Sequence, residues 1–285
     1  MKNLASPKVI KEILDRTGFK FSKSLGQNFL IDENVLTKIT DASDLDGAGV
    51  IEIGPGFGTL TQRLAKCAEK VVAIEIDKTA IPVLEDNLSD FSNVKIINED
   101  VLKCDLHSVI KEEFGGMNVK VCANLPYYIT TPIIMHILEE KLNVESLTVM
   151  IQKEVAMRIG AKAGTKDYGA LTLAVNYYAQ SEIITHVPPS AFIPQPKVSS
   201  TVIKLTMRKE PPVRVNDEKG FFKVVKASFG QRRKTLLNAL SNSSFIPLSK
   251  EDVKKALENA GIDEKRRGET LTIEEFANLS NEIFK

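Results

Sequence analysis

The chain has 285 residues, of which 43% are hydrophobic and 26% are charged, and its formal net charge is +1. This composition is typical of a globular protein with one large domain and a second, smaller one. No apolar run approaches membrane-spanning length, and the first twenty residues lack the apolar core of a signal peptide, so we expect a cytoplasmic protein. The three cysteines are widely spaced and provide neither a disulfide framework nor a zinc site, so we expect no bound metal.

The chain begins with a predicted short amphipathic helix, which is followed by residues 19–30, a basic and aromatic stretch of loop character. Asp32 is placed to cap the next helix. We therefore assign residues 1–30 as an N-terminal extension of the first domain.

Apolar, β-branched runs alternate with amphipathic segments in the next hundred residues, which predicts a parallel sheet with helices on both faces. The predicted strands are Val50–Ile53, Val71–Ile76, Val94–Ile97, Val119–Ala123 and Leu147–Ile151. The predicted helices between them are Leu60–Ala68, Lys78–Leu88, Leu106–Phe114 and, behind a Thr131 cap, Pro132–Glu140.

A further helix, two strands and a helical region complete the chain. Helix Leu171–Ala179 precedes strands Glu182–His186 and Thr201–Met207, which an extended, proline-rich connection joins. Beyond Lys209–Pro212 the pattern is helical only, with predicted helices at Glu218–Ser228 and Arg232–Leu240, a Ser249-capped helix and a final helix that opens with a capping box at Thr272. We predict two domains, residues 1–208 and residues 209–285.

Polar groups follow the first three strands of the sheet. A glycine turn, Gly54-Pro55-Gly56-Phe57-Gly58, follows the first, Glu75 ends the second and Asp100 follows the third. Glycine lets a ligand approach the backbone closely. The Glu75 carboxylate is placed to accept hydrogen bonds from two ribose hydroxyls, and the Asp100 carboxylate is placed to accept one from an adenine amino group. The turn matches neither the dinucleotide fingerprint nor a phosphate loop. An adenosine without phosphate is indicated, which favours S-adenosylmethionine over NAD.

The fourth strand ends in Asn124-Leu125-Pro126-Tyr127. Proline holds Leu125 in extended geometry, so its carbonyl is expected to lie outside the sheet ladder. The Asn124 side-chain carbonyl and the Leu125 backbone carbonyl would accept the two hydrogens of a planar amine, and the Tyr127 ring would stack on its face. We assign these three residues, together with Phe192 as a second stacking ring, to the catalytic site. The alternative for Phe192 is a hydrophobic plug between the sheet and its loop.

A basic segment lies in the helical region. Residues 221–240 contain no acid, and their basic residues are Lys223, Lys226, Arg232, Arg233 and Lys234. Such a segment favours contact with RNA phosphates, although a solvated helix face is the alternative. Two further pairs would extend this surface: Arg266 with Arg267, and Lys20 with Lys23.

These motifs together resemble the rRNA adenine dimethyltransferase family. The resemblance runs almost end to end and rests on Gln27–Leu30, Ile51–Gly58, Asn124–Tyr127, Phe192–Val198 and Phe229–Leu236. It implies an α/β fold with a seven-stranded, Rossmann-like class I methyltransferase sheet and a small all-helical C-terminal domain. It also implies dimethylation of adenine amines in rRNA, with S-adenosyl-L-methionine as methyl donor.

The resemblance implies cofactor contacts from six residues: Asn28, Leu30, Gly54, Glu75, Asp100 and Asn124. The C-terminal features are similar to the small-subunit branch, which modifies adjacent adenines near the 3′ end of 16S rRNA. We expect a monomer that acts on the immature small ribosomal subunit. Two alternatives remain, namely the antibiotic-resistance branch, which acts on large-subunit rRNA, and a ribosome-assembly factor with secondary catalysis. Tyr128 departs from the small-subunit branch, which often has Asn there, and is expected to shape the pocket rim.

Overall fold

The computed structural model describes residues 2–19 and 25–285, so Lys20 and Lys23 lie outside the described residues. The chain divides into two compact units. The first comprises Met1–Ala156 and Ser181–Met207, and the second comprises Met157–Gln180 and Arg208–Lys285.

In the described part of the chain, seven strands form one sheet in the order β4-β3-β2-β5-β6-β9-β7. Strands β2 to β6 run parallel, and β9 is antiparallel to β6. Two further strands, β1 and β8, form a separate antiparallel pair. The strands are β1 (Phe29–Leu30), β2 (Gly49–Ile53), β3 (Lys70–Glu75), β4 (Val94–Asn98), β5 (Val119–Asn124), β6 (Ser146–Gln152), β7 (Ala179–Val187), β8 (Phe192–Ile193) and β9 (Ser200–Met207).

The helices of the first half connect these strands or precede them. Strand β2 is buried along its whole length, because parallel strands covered by helices on both faces need apolar side chains at successive positions. Asp32 caps α2 as predicted, since its carboxylate accepts from the backbone N–H groups of Asn34 and Val35. The helices are α1 (Pro7–Thr17), α2 (Glu33–Ser43), α3 (Thr59–Cys67), α4 (Ile81–Leu88), α5 (Leu106–Phe114), α6 (Thr130–Glu139) and α7 (Lys153–Ile159).

Several local predictions were wrong. Thr131 lies inside α6 rather than at its cap. Helix α7, which follows β6 without any intervening loop, was not predicted, and neither were the two-residue strands β1 and β8. The connection after β7 is not extended throughout, because Pro189–Ala191 form a 3₁₀ turn.

The second unit is helical. It comprises α8 (Ala170–Tyr178), α9 (Glu218–Gly230), α10 (Leu236–Ser241), α11 (Lys250–Asn259) and α12 (Ile273–Ile283), with a 3₁₀ turn at Gly268–Thr270. Tyr177 stacks on Phe221, and Tyr178 stacks on Phe222. These contacts group α8 with the helices after residue 208, although the sequence analysis had placed it in the first domain.

Arg232, Arg233 and Lys234 were predicted to open a helix, but they lie in the turn between α9 and α10. The helix begins only at Leu236, behind Thr235. Among the described residues, no helix is long and apolar enough to span a membrane.

Candidate active site at the carboxyl edge of the sheet

A pocket lies where the parallel strands of the first unit end. It is lined by residues 25–30, 52–56, 74–76, 99–101 and 124–129, with Thr59, Leu60 and Ile133. Strand β2 lies between β3 and β5, so the strand order reverses beside the glycine turn. Ligands of open α/β sheets bind at such a reversal, beyond the carboxyl ends of the strands.

The predicted cofactor residues all lie at this pocket. Asn28, Leu30, Gly54, Glu75, Asp100 and Asn124 line it, and so do Leu125 and Tyr127. The structure therefore brings together eight of the nine predicted site residues of the first unit, and Phe192 is the exception.

The Glu75 carboxylate organises the glycine turn. Its Oε2 accepts from the Gly56 N–H at 3.0 Å, and its Oε1 accepts from the Asp77 N–H at 2.9 Å. The side chain is only 5% exposed. Burial raises the pKa of the Glu75 carboxyl, and these two backbone hydrogen bonds partly offset that effect. The carboxylate keeps unused lone pairs for further donors, because each oxygen can accept more than one hydrogen bond.

The turn itself leaves space for a ligand at Gly54. Gly54 has a φ of +69°, and a Cβ added there would meet no atom within 4 Å. At Gly56, by contrast, a Cβ would come within 2.5 Å of the Phe29 ring. The open backbone at Gly54 is therefore a place where a ligand can approach the chain closely.

The segment before β1 forms one wall of the pocket. The Gln27 side-chain NH2 donates to the Asp77 carboxylate at 2.8 Å, and the Phe29 ring stacks on Phe57 with centroids 4.3 Å apart. Asn28 contributes its backbone carbonyl, which accepts from the Asn124 side chain. These contacts hold residues 25–30 against the ends of the strands.

The Asn124 amide has a defined orientation. Its NH2 group donates to the Asn28 carbonyl oxygen at 2.8 Å, so its own carbonyl oxygen remains as the acceptor. The ladder pairing of β5 with β6 ends at Asn124, and no described residue donates to the Leu125 carbonyl oxygen. These two carbonyl oxygens therefore belong to neighbouring residues, and neither has a donor in the described part of the chain.

Tyr127 lines the pocket, and its ring is half-buried. Its hydroxyl lies 2.6 Å from the Ser200 hydroxyl. Burial raises the pKa of the Tyr127 phenol, and this hydrogen bond partly counteracts the shift. Tyr128 is 58% exposed at the pocket rim, where its ring lies over Gly26.

Phe192 does not line the pocket, so the stacking role predicted for it was wrong. Its side chain is 1% exposed and packs in a core cluster with Leu30, Cys122 and Val202. Strand β8 pairs with β1, and in that register Phe192 is opposite Leu30. The alternative, a hydrophobic plug between the sheet and its loop, describes its environment.

Asp100 lies two residues beyond the end of β4. One of its carboxylate oxygens accepts from the Leu102 N–H at 3.1 Å, and the other lies 4.0 Å from the Lys103 ammonium. The exposed side chain of Ile76 follows Glu75 in the same wall. Ile76 was not predicted, although an apolar residue exposed next to a binding acid is suited to contact with a flat ring.

Glu52, the second-to-last residue of β2, also lines the pocket and was not predicted as a site residue. It is 1% exposed, and its Oε2 has no hydrogen-bond partner in the described part of the chain. Burial raises the pKa of this carboxyl to about 8. The sequence signal was an acid inside a β-branched run, where an unpaired charge is costly.

The basic segment of the second unit is exposed but only partly free. Arg232 forms an ion pair with Glu269 at 2.9 Å and donates to the Lys166 carbonyl. Lys223 lies over the Phe284 ring, and Lys226 lies 4.6 Å from the centroid of Phe245. Arg266 is paired with Glu275. Arg233 and Lys234 are exposed, and no ion pair with either was found among the described residues.

Within the described ranges, no group of three or more His, Cys, Asp or Glu side chains is arranged to hold a metal ion.

Comparisons with known proteins agree on one family. A family model described as "Ribosomal RNA adenine dimethylase" matches residues 18–285. A protein from Alkaliphilus metalliredigens, named "Ribosomal RNA small subunit methyltransferase A", is 59% identical over 99% of this chain and 99% of its own length. A protein of the same name from Geobacillus thermodenitrificans is 57% identical over 99% of this chain and 97% of its own length.

Solved structures are similar over most of the chain. A dimethyladenosine transferase from Plasmodium falciparum has a TM-score of 0.72 at 23% identity and covers 88% of this chain and 95% of its own. The 23S rRNA methyltransferase ErmE has a TM-score of 0.67 at 26% identity and covers 90% of this chain and 100% of its own. The first of these similarities concerns the fold alone.

Proposed function

The chain belongs to the ribosomal RNA adenine dimethylase family, and from this premise we propose that it dimethylates two adjacent adenines near the 3′ end of small-subunit rRNA. The methyl donor is S-adenosylmethionine, and the substrate is an immature small ribosomal subunit, to which the enzyme binds as a cytoplasmic monomer. Relatives 54–59% identical over nearly the whole chain, all named as small-subunit enzymes, support this choice of rRNA.

The pocket fits an S-adenosylmethionine molecule in three respects. Glu75 is a buried carboxylate with unused acceptor capacity for ribose hydroxyls. The open backbone at Gly54 has room for the amino acid part. Asp100 and the exposed Ile76 suit an adenine, the first as an acceptor for its amino group and the second as an apolar contact. When bound, the cofactor supplies an electrophilic methyl group.

The observation that carries the proposal is the orientation of the Asn124 amide. Its NH2 is engaged by the Asn28 carbonyl, so the oxygen is the group offered to a substrate. The lone pair of an adenine amine is delocalised into its ring, which makes the amine a poor nucleophile. Accepting its two hydrogens at Asn124 and Leu125 favours a pyramidal nitrogen, whose lone pair is then available to the methyl donor.

No strong base is required for this step, because the nitrogen loses its proton after attack rather than before it. After the first transfer one hydrogen remains, so the monomethyl amine must rotate or rebind for the second transfer. The target adenine must also leave its stack, and a ring face offsets that loss by about 1–3 kcal/mol. Tyr127 provides one such face. With Phe192 in the core, the other aromatic residues that line this pocket in the described chain are Tyr128 at the rim and Phe29, whose ring stacks on Phe57.

The contact with rRNA phosphates is assigned to the basic segment of the second unit. Lys223, Lys226, Arg233 and Lys234 present exposed ammonium or guanidinium groups, and Arg232 contributes less because Glu269 already neutralises it.

The competing functions are a large-subunit methyltransferase and an assembly factor with secondary catalysis. Incubation with a labelled methyl donor separates them when unmodified small subunits and large subunits are compared, with the Asn124→Ala variant as control. We expect label in small subunits only, and we expect the variant to incorporate it at least about 100-fold more slowly. Label in large subunits would favour the first competitor. Binding of small subunits by wild-type protein without turnover would favour the second.

A further inference from the structure

A buried serine holds the tyrosine of the pocket at its far end. The Tyr127 hydroxyl and the Ser200 hydroxyl are 2.6 Å apart, and Ser200 is 0% exposed at the start of β9. The two residues are separated by 73 positions in the sequence. Tyr127 is in the loop after β5, whereas Ser200 is part of the central sheet.

The sheet makes Ser200 a fixed point. In the ladder between β6 and β9, Ser200 is opposite Gln152, and the Lys153 N–H donates to the neighbouring Ser199 carbonyl. A tyrosine ring moves as a whole by rotation about χ1, and a hydrogen bond at its hydroxyl restrains this motion because it fixes the far end of the ring. Tyr127, which lines the pocket, is therefore held by a group that does not itself line the pocket.

We propose that Ser200 is a positioning residue for the target adenine, which acts by fixing the position of the Tyr127 ring. This inference rests on the proposed function, because it presumes that the Tyr127 ring receives the base. A ring that is already held in place loses less conformational freedom when a base stacks on it, so the hydrogen bond favours substrate binding. The stacking contact is similar before and during methyl transfer, so loss of the hydrogen bond should raise KM and leave kcat unchanged.

The test uses Ser200→Ala, Tyr127→Phe and the double variant, which all remove the same hydrogen bond. Each single variant is expected to raise KM for unmodified small subunits by about 3- to 10-fold, the range of one net hydrogen bond. Single-turnover rates at saturating subunits and the affinity for S-adenosylmethionine should stay within about twofold. The double variant should be no worse than either single variant, because their effects are not independent.

A matched control lies next to Ser200. Thr201 is also buried on β9, and its hydroxyl lies 3.0 Å from His186 Nδ1, on a side chain that does not line the pocket. Thr201→Val therefore removes a buried hydroxyl of the same strand and should leave KM unchanged. Ser200→Thr keeps the hydroxyl and should restore most of the wild-type KM. An equal rise of KM in Thr201→Val and Ser200→Ala would overturn the proposal, and so would additive effects of Ser200→Ala and Tyr127→Phe.

A second readout does not depend on catalysis. The chain has five tyrosines and no tryptophan, so ¹³C-labelled tyrosine rings give few signals, and Tyr127→Phe identifies the signal of Tyr127. Ser200→Ala should shift this signal and change its line width, whereas Thr201→Val should not. An unchanged Tyr127 signal in Ser200→Ala would refute the positioning role. Absence of methyl transfer by the wild-type protein would instead refute the proposed function, and the ring signals and subunit affinities of the variants would still decide the role of Ser200.

Discussion

At the scale of single residues, the candidate site depends on backbone groups that orient polar side chains. The Asn124 amide is oriented by the Asn28 carbonyl, and Glu75 is held by two backbone N–H groups. Backbone groups move less than side chains, so the acceptors are fixed before a substrate arrives. Such preorganised polar groups are the main source of transition-state stabilisation in enzymes.

Asn124→Ala tests this role directly. The variant loses the acceptor that interacts with the amine as the nitrogen becomes pyramidal, so the loss falls on the chemical step. We expect single-turnover methylation to fall by about 100-fold or more, the scale of one positioned polar group. The measurement is the rate at saturating small subunits and cofactor. A variant with a wild-type rate and a raised KM would show that Asn124 only holds the base.

The buried Glu52 predicts a dependence of stability on pH. Its pKa is raised to about 8 in the folded state, from an ordinary value of 4.5, because burial disfavours the charge. The folded state therefore binds this proton more tightly than the unfolded state does. Its contribution to stability is complete below about pH 4.5 and is lost as the pH rises toward 8.

Glu52→Gln removes this titration while it keeps the shape of the protonated acid. Between pH 5 and pH 8, the free energy of unfolding should fall for the wild-type protein relative to the variant, as measured by urea denaturation. Parallel curves for the two proteins across this window would contradict a raised pKa for Glu52.

The residues whose place at the pocket was predicted are those whose position follows from local pattern. Asn124 and Glu75 each end an apolar run, so a parallel sheet places them at one edge. The stacking role predicted for Phe192 was wrong because its short strand has no alternating apolar pattern that indicates which side faces the core. The bond between Asn28 and Asn124 spans 96 residues, and that between Tyr127 and Ser200 spans 73, so neither partner could be identified from local sequence.

At the scale of elements, the glycine turn after β2 serves both packing and binding. A Cβ at Gly56 would collide with the Phe29 ring at 2.5 Å, and this ring cannot easily move because it stacks on Phe57. A Cβ at Gly54 would meet no atom of the protein within 4 Å. Both glycines have positive φ angles, so both substitutions carry similar backbone strain.

The two alanine variants are thus expected to affect different properties, namely stability for Gly56→Ala and cofactor binding for Gly54→Ala. Gly56→Ala should lower the free energy of unfolding by about 2–4 kcal/mol, from overpacking added to backbone strain. Gly54→Ala should cost only about 1–2 kcal/mol of strain, but it should weaken S-adenosylmethionine binding at least tenfold. The checks are urea denaturation and calorimetry on both variants. Unchanged cofactor affinity in a folded Gly54→Ala variant would remove this turn from the binding site.

The turn between α9 and α10 is where we place the strongest phosphate contacts. Neutralising Arg233 and Lys234 together should weaken rRNA binding and make the log–log salt dependence shallower by about 1.4–1.8, because two fewer counterions are released. Lys8 and Lys11 on α1 are exposed and serve as a matched double variant. An unchanged salt slope, or an equal change in the Lys8 and Lys11 control, would exclude this turn from the RNA interface.

At the scale of the whole molecule, the sequence predicted the order of strands and helices better than it predicted the boundary between the two compact units. The alternation of apolar and amphipathic runs correctly indicated an α/β sheet followed by helices, and the resemblance to the family correctly implied that this sheet has seven strands. The grouping of α8 with the second unit depends on tertiary contacts, since Tyr177 and Tyr178 pack on Phe221 and Phe222. The predicted boundary rested on the Lys209–Pro212 segment and the helical pattern beyond it, so it left this earlier helix in the first domain.

The central claim is that this chain dimethylates two adjacent adenines of small-subunit rRNA. In the most direct test, the protein is incubated with S-adenosylmethionine and small subunits that lack the modification. Methylated bases are then mapped along the rRNA at single-nucleotide resolution. We predict dimethyladenine at two adjacent positions near the 3′ end and at no other adenine, and its formation by Asn124→Ala should be at least about 100-fold slower. Methylation elsewhere in the small-subunit rRNA, or in large-subunit rRNA alone, would contradict the account.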